Sequence, residues 1–158
     1  MTMEGRPASH SRVEMTHVPL PYEANLLGTV HGGVIMRLVD EAGAVAAVRH
    51  AKRQCVTAAI DSMTFLAPAK VGSLLILKAS VNLAGTTSLE AGVRVEMEDL
   101  LTGRRVHISS AYIVYVALGD DGKPCCVPPL IPETDEDRRR MAEAARRKAH
   151  RQRTRGPG

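Results

Sequence analysis

Aromatic side chains are nearly missing from this chain: 3% of its 158 residues, with no Trp and a single Phe65. A nucleic-acid surface built on base stacking needs aromatic platforms, so their absence argues against that class of function. Cysteine is scarce too. Cys55, Cys125 and Cys126 show no C-x-x-C or Cys/His spacing, and an odd count with two adjacent members makes no disulfide framework. Neither a metal site nor a disulfide is therefore expected. No stretch approaches the ~20 uninterrupted apolar residues of a membrane span, and the opening MTMEGRPASHSRVEM lacks the apolar core of a signal peptide. These absences together lead to the expectation of a cytoplasmic, reduced protein.

What is present fits one globular domain. A hydrophobic content of 44% in a chain of this length can bury a core without staples. The net charge of +4 has a definite address. Lys/Arg and Asp/Glu balance up to residue 132, so the whole excess lies in residues 133–158, with "RRR", "RRK" and "RQRTR". Charge runs on a terminal helix usually mark a solvated face, and no nucleic-acid partner is expected from them.

Along the chain, residues 1–16 are polar and irregular and are expected to be disordered. "HVPLPYEANLLGTVHGG" is extended or looped, because its Pro and Gly residues cannot continue a helix. From Val34 to about Lys52 only Gly43 interrupts an apolar segment that is helical in spacing and apolar nearly all round, the signature of a buried helix. Its Ala and Gly residues would let a sheet approach closely. Four strand-like runs follow at 54–65, 73–83, 88–99 and 105–118, the third alternating cleanly. Thr134 with Asp137 three residues on makes a capping-box pattern that starts a last helix. The expected layout is α+β: a long buried helix wrapped by an antiparallel sheet over residues 17–132, then a basic C-terminal helix and tail over 133–158.

The motifs "ANLLGTVHGGVIMRLVDEAG", "DSMTFLAPAKVG", "LLTGRR" and "VPPLIPETDEDRRR" resemble those of hotdog-fold acyl-CoA thioesterases of the brain acyl-CoA hydrolase type and their single-domain bacterial relatives. The resemblance spans most of the chain from Asn25 to about Arg140. It implies hydrolysis of acyl-CoA to a free acid and CoA without a cofactor, coenzyme A entering only as part of the substrate. In the double-domain relatives one repeat supplies a catalytic Asn and the other a catalytic Asp. These match Asn25 and Asp40, which this single-domain chain holds together. A homodimer could then build two complete sites, and further assembly into a trimer of dimers is implied.

The residue types suit the chemistry. Thioester hydrolysis needs a positioned water, a base or nucleophile, and donors for a developing oxyanion. The N-terminus of the buried helix offers free N–H groups, and Gly32 and Gly33 would let a carbonyl approach them. Asp40 is the candidate base, and partial burial would raise its pKa from the usual value of about 3.9. Asn25 can hold the water or the carbonyl through its amide. His31 is expected to take a structural role, packing at the cap side of the helix, or to face the carbonyl among the oxyanion and substrate-binding residues with Gly32 and Gly33, rather than act as base. Gly33 and Asp40 lie seven residues apart, or ~10.5 Å along a helix, beyond the reach of a hydrogen bond. Asp40 must therefore serve a second chain related by a two-fold axis, and the site is expected between subunits.

Blander roles compete with these. Asp40 could instead form a buried ion pair with Arg37 or Arg49, and Glu41 is expected to pair with Arg37. The turn holding Thr86, Thr87 and Ser88 could meet the CoA moiety, or could be only a turn. An aryl-CoA thioesterase of the phenylacetate type and a non-catalytic acyl-CoA-binding hotdog protein are the rival functional readings.

Overall fold

Gly32–Ala51 forms one twenty-residue helix, α1, and its small residues decide how it packs. Ile35, Leu38, Val39, Ala42, Gly43, Ala46 and Ala47 are buried along one side, so the sheet lies close to the helix axis. Gly43 marks the closest approach. A Cβ there would sit 2.4 Å from the hydroxyl of Tyr115, which is itself fully buried. Gly43→Ala should therefore destabilise the fold by about 1–3 kcal/mol, the usual cost of overpacking, although Ala favours helices. Urea unfolding measures this directly, and an unchanged midpoint would mean that Tyr115 can move aside freely.

The computed structural model describes residues 2–156. After α1 come β3 (Gln54–Phe65), β4 (Leu74–Ala84), β5 (Ser88–Glu98) and β6 (Arg105–Leu118). With β2 (Val13–His17) they make a five-stranded antiparallel sheet in the order β2-β4-β5-β6-β3. Alternate residues point to opposite faces of a strand. The inner face, with Leu75, Leu77, Ala91, Val93, Ile113 and Tyr115, packs against α1 in one core. The expected helix-and-sheet layout is thus observed, and the boundaries of β3 and β6 coincide with those read from the sequence.

The expectation for residues 1–16 needs correction. Arg6–Pro7 (β1) pairs with Leu130–Ile131 (β7), a 3₁₀ turn covers Ala8–Ser11, and Val13–His17 adds an edge strand to β4. Buried Ser11 fastens this segment by accepting the Val81 N–H at its hydroxyl. Polar residues alternate with half-buried ones along β2, a pattern too short to stand out in the sequence. The sheet thus begins at Val13, ahead of the boundary expected at residue 17.

The basic C-terminal segment is also more engaged than a solvated face. Helix α2 (Asp135–Thr154) starts at Thr134 with the expected capping box to Asp137. It lies on the outer face of the sheet, opposite α1. There Arg147 makes a paired contact with Glu90, a residue only 2% exposed, and its guanidinium covers the Tyr112 ring at 3.6 Å. Arg151 reaches both Glu90 and Asp61. A buried carboxylate left unpaired is costly, so Glu90 is what fixes the docking of α2. No described helix is long and apolar enough to cross a membrane.

Candidate active site

Asp40 lies midway along α1, half-buried. It forms no ion pair among the described residues; Arg37 bridges Glu41 at 2.8 Å and Glu23 at 3.7 Å, and Arg49 donates to the Arg12 carbonyl. The expected Arg37–Glu41 pair is present, and an Asp40 ion pair is not. Instead, two hydroxyls hold Asp40. Thr57 on β3 donates to Oδ1 at 2.7 Å. The Tyr115 hydroxyl lies 2.9 Å from the Asp40 carbonyl and 3.1 Å from Oδ1. Burial, and then the neighbouring carboxylate, pushes the Tyr115 phenol well above its usual range, so it stays a protonated donor. One carboxylate oxygen is therefore fixed, while no hydrogen bond to Oδ2 occurs among the described residues.

Asn25 stands in a tight turn before the helix. Its Oδ1 accepts the N–H groups of Leu27 at 2.9 Å and Thr29 at 3.2 Å, and Gly28 completes the turn with a φ of +79°. Those bonds orient the amide so that Nδ2 meets the Thr29 hydroxyl at 3.0 Å. An amide nitrogen carries two hydrogens, and the second remains to be donated. The loop is anchored from below. The Glu23 carbonyl accepts the His31 N–H at 2.8 Å, while its carboxylate accepts from Leu20 N–H and contacts His17 Nε2. The Leu20 amide, then the His17 imidazole, hold the Glu23 carboxyl below the usual range.

His31 is the N-cap of α1. Its Nδ1 accepts the Gly33 N–H at 2.9 Å, so the ring proton belongs on Nε2. A hydrogen-bonded cap is more specific than the packing role expected of His31, and it alters another expectation. The Gly33 amide is already occupied, whereas the Gly32 amide has no acceptor among the described residues. Only Gly32 therefore offers a free donor, with the Phe65 ring close beside it (3.8 Å from a Cβ built on Gly32). Because Asn also caps helices well, His31→Asn should keep stability within about 0.5 kcal/mol, while His31→Ala should lose about 1 kcal/mol. Thioester turnover should survive His31→Asn, and its loss would return His31 to the role of base.

Seven residues along a helix return to nearly the same face, so Gly33 and Asp40 look the same way, ~10.5 Å apart. Met36 is exposed on that side, with Val48 toward its margin. The neighbouring strand β3 is a sheet edge and also exposes Val56, Ile60 and Phe65. Thr86, Thr87 and Ser88 lie elsewhere. Their turn is tied down by backbone bonds from Val127 to the Thr86 carbonyl and from Ala117 to the Thr87 carbonyl. Ser88 pairs with Val116, near the level of Asp40, whereas Gly32 lies beside Phe65 at the far end of β3. Within one chain the structure does not bring this turn to Asn25 and His31. No group of three or more His, Cys, Asp or Glu suited to a metal occurs among the described residues.

Comparison with known proteins decides the family. Residues 27–103 match the model of the thioesterase superfamily. YkhA of Bacillus subtilis (strain 168), an uncharacterized acyl-CoA thioester hydrolase, is 37% identical over 86% of this chain and 79% of its own. The chain belongs to the thioesterase superfamily. Its architecture is the hotdog fold of that superfamily: an apo hexameric acyl-CoA thioesterase superposes with a TM-score of 0.93 at 37% identity, covering 99% of this chain and 100% of that one. An acyl-CoA hydrolase of Staphylococcus aureus, solved with butyryl coenzyme A, coenzyme A and coenzyme A disulfide, gives 0.89 at 35% identity over 95% and 92% of the two chains. That hydrolase has also been solved with an Asn, an Asp and a Thr each replaced by Ala, and the three are spaced along it as Asn25, Asp40 and Thr57 are here.

Thr57, Tyr115 and Phe65 were not singled out from the sequence. A threonine in a strand is ordinary, and only the pairing of Gly43, in the middle of the helix, with a large residue on a facing strand could have pointed to Tyr115.

Proposed function

We propose that this thioesterase-superfamily protein hydrolyses the thioester of acyl-CoA, without metal or redox cofactor, at sites shared between two subunits. The observation that carries the reading is the held carboxylate: Asp40 is fixed at one oxygen by Thr57 and Tyr115 on the helix face that also bears exposed apolar residues. Such a face is suited to a second copy of the chain. An antiparallel partner helix would set Asp40 of one chain opposite Asn25 and Gly32 of the other, which a single chain cannot do by itself.

In this mechanism the thioester carbonyl oxygen accepts from the Gly32 N–H and the free Asn25 Nδ2 hydrogen. The positive end of α1 favours the charge that develops there. Asp40 takes a proton from a water, which adds to the carbonyl carbon; the carbon–sulfur bond then breaks and the proton passes to the departing CoA thiolate. Asp40 acting as a nucleophile through a transient anhydride is the other form of the same reading. His31 holds the amides in place by capping the helix, while Thr86, Thr87 and Ser88 are retained as candidate contacts for the distal part of CoA. The hexameric assembly named for a structural neighbour supports a trimer of such dimers here. We assign the protein to the cytoplasm, the compartment named for the cytosolic acyl coenzyme A thioester hydrolase of Rattus norvegicus, which is 34% identical over 89% of this chain.

The test is release of free CoA thiol, followed with a disulfide dye, over a series of straight-chain acyl-CoAs with phenylacetyl-CoA beside them. Steady turnover of the aliphatic series is the expected result. Turnover confined to phenylacetyl-CoA would favour the aryl-CoA reading, and binding without turnover would make the protein a non-catalytic acyl-CoA binder.

A further inference from the structure

The outer face of the sheet holds a groove of about 610 Å³ between α2 and strands β2, β4, β5 and β6. It lies on the opposite face from Asp40, since Lys78, Ser80 and Asn82 line it while Leu77, Ala79 and Val81 alternate into the α1 core. Its floor is built around one side chain. Asn82 is only 5% exposed, yet its amide makes no hydrogen bond among the described residues. Two departures from regular sheet put it there. Asn82 is the extra residue of a bulge between Val81 and Leu83, and bulges re-aim side chains next to sites. Gly92 on the neighbouring strand, the partner of Ser80, lies diagonal to it, and a Cβ there would come within 2.5 Å of Asn82 Nδ2. The hydroxyls of Ser80 and Tyr112, beside it, also have no hydrogen-bond partner among the described residues. The only fully buried side-chain polar atom without a partner among the described residues is His50 Nδ1, so the Asn82 amide reaches the solvent of the groove and stands open to a ligand.

The rim selects the ligand. Arg12, Lys78, Arg94 and Arg140 stand at the mouth with their side chains well exposed, while two of the carboxylates that hold them, Asp137 and Glu96, lie beneath. Lys78 and Arg94 share the single carboxylate of Glu96. Arg12 uses only one of its five donors on Asp137, and Arg140 one on Glu136. Glu14 is a lining carboxylate with no ion pair among the described residues, and it opposes an anion. Several unspent, forked donors around an amide and two hydroxyls fit oxyanions carried on a small molecule.

We propose that this groove binds a phosphate-bearing small molecule, at a site separate from the thioester site. The probe is inorganic pyrophosphate, titrated calorimetrically into the full chain at low ionic strength. One saturable site per chain is expected. Arg94→Gln and Asn82→Ala should each weaken binding about tenfold or more, the effect of losing a hydrogen bond to a charged group. Glu14→Gln should strengthen it. Arg53→Gln, an exposed cation outside the groove, should leave it unchanged. Saturating coenzyme A should not displace the probe, and the backbone amide of Gly92 should shift in NMR spectra with the same midpoint. No saturable binding, equal weakening in Arg53→Gln, or displacement by coenzyme A would overturn the proposal. If Asn82→Ala fails to fold, Arg94→Gln, at an exposed position, carries the test. The readout is binding, so it stands or falls independently of hydrolysis.

Discussion

Replacing Asp40 by Asn should lower acyl-CoA turnover by about 10²- to 10⁴-fold, the range set by loss of a positioned general base, with KM nearly unchanged. The substitution is nearly isosteric. Its Oδ1 can still accept from Thr57 and Tyr115, so the helix, the sheet and the apolar face stay as they are. What disappears is the ability of the second carboxylate atom to take a proton or attack a carbonyl. The melting temperature of Asp40→Asn should therefore match the wild type, and the loss should fall on kcat. Thr57→Val tests the same arrangement more gently. It keeps the shape and removes one hydrogen bond, worth roughly 1.4 kcal/mol if it is used in the transition state, or about tenfold in rate. Near-normal turnover in Asp40→Asn would remove the base from the proposal and reopen His31.

Much of this arrangement is legible in the sequence, because its signals are strong and local. A helix apolar on nearly every side has few places to go but a core, and α1 is there. The alternation of Leu89, Ala91, Val93 and Val95 against polar neighbours defined β5 almost to the residue. The capping pair Thr134 and Asp137 fixed the start of α2. What could not be read depends on contacts between distant segments. Thr57 meets Asp40 only because a strand edge passes the middle of the helix. Likewise, the weak β2 segment becomes a strand only because β4 offers it an edge and Val81 N–H reaches Ser11. The tail looked like a solvated basic face because nothing in the sequence ties Arg147 to a glutamate on β5. His31 is legible as a structural residue at the head of the helix, but not as its hydrogen-bonded cap, which occupies the Gly33 amide and leaves Gly32 as the donor.

Two inactive variants, Asn25→Ala and Asp40→Asn, should regain activity when they are unfolded and refolded together. Each site in the proposed dimer takes Asn25 from one subunit and Asp40 from the other. In a mixed dimer one site then inherits both lesions and its two-fold mate inherits neither. Random pairing of equal amounts makes about half the dimers mixed, each with one intact site, so activity should return to roughly a quarter of wild type. The expectation rests on helix geometry: Gly33 and Asp40 share a face of α1 but stand ~10.5 Å apart, so only an antiparallel second helix brings the carboxylate to the capped end. Asn25→Ala also frees the Leu27 and Thr29 amides that its side chain holds, so its thermal stability must be checked separately. Mass spectrometry of the native assembly verifies the exchange. If mixed dimers form and activity stays at the level of the single variants, each subunit does its chemistry alone and the shared site is wrong.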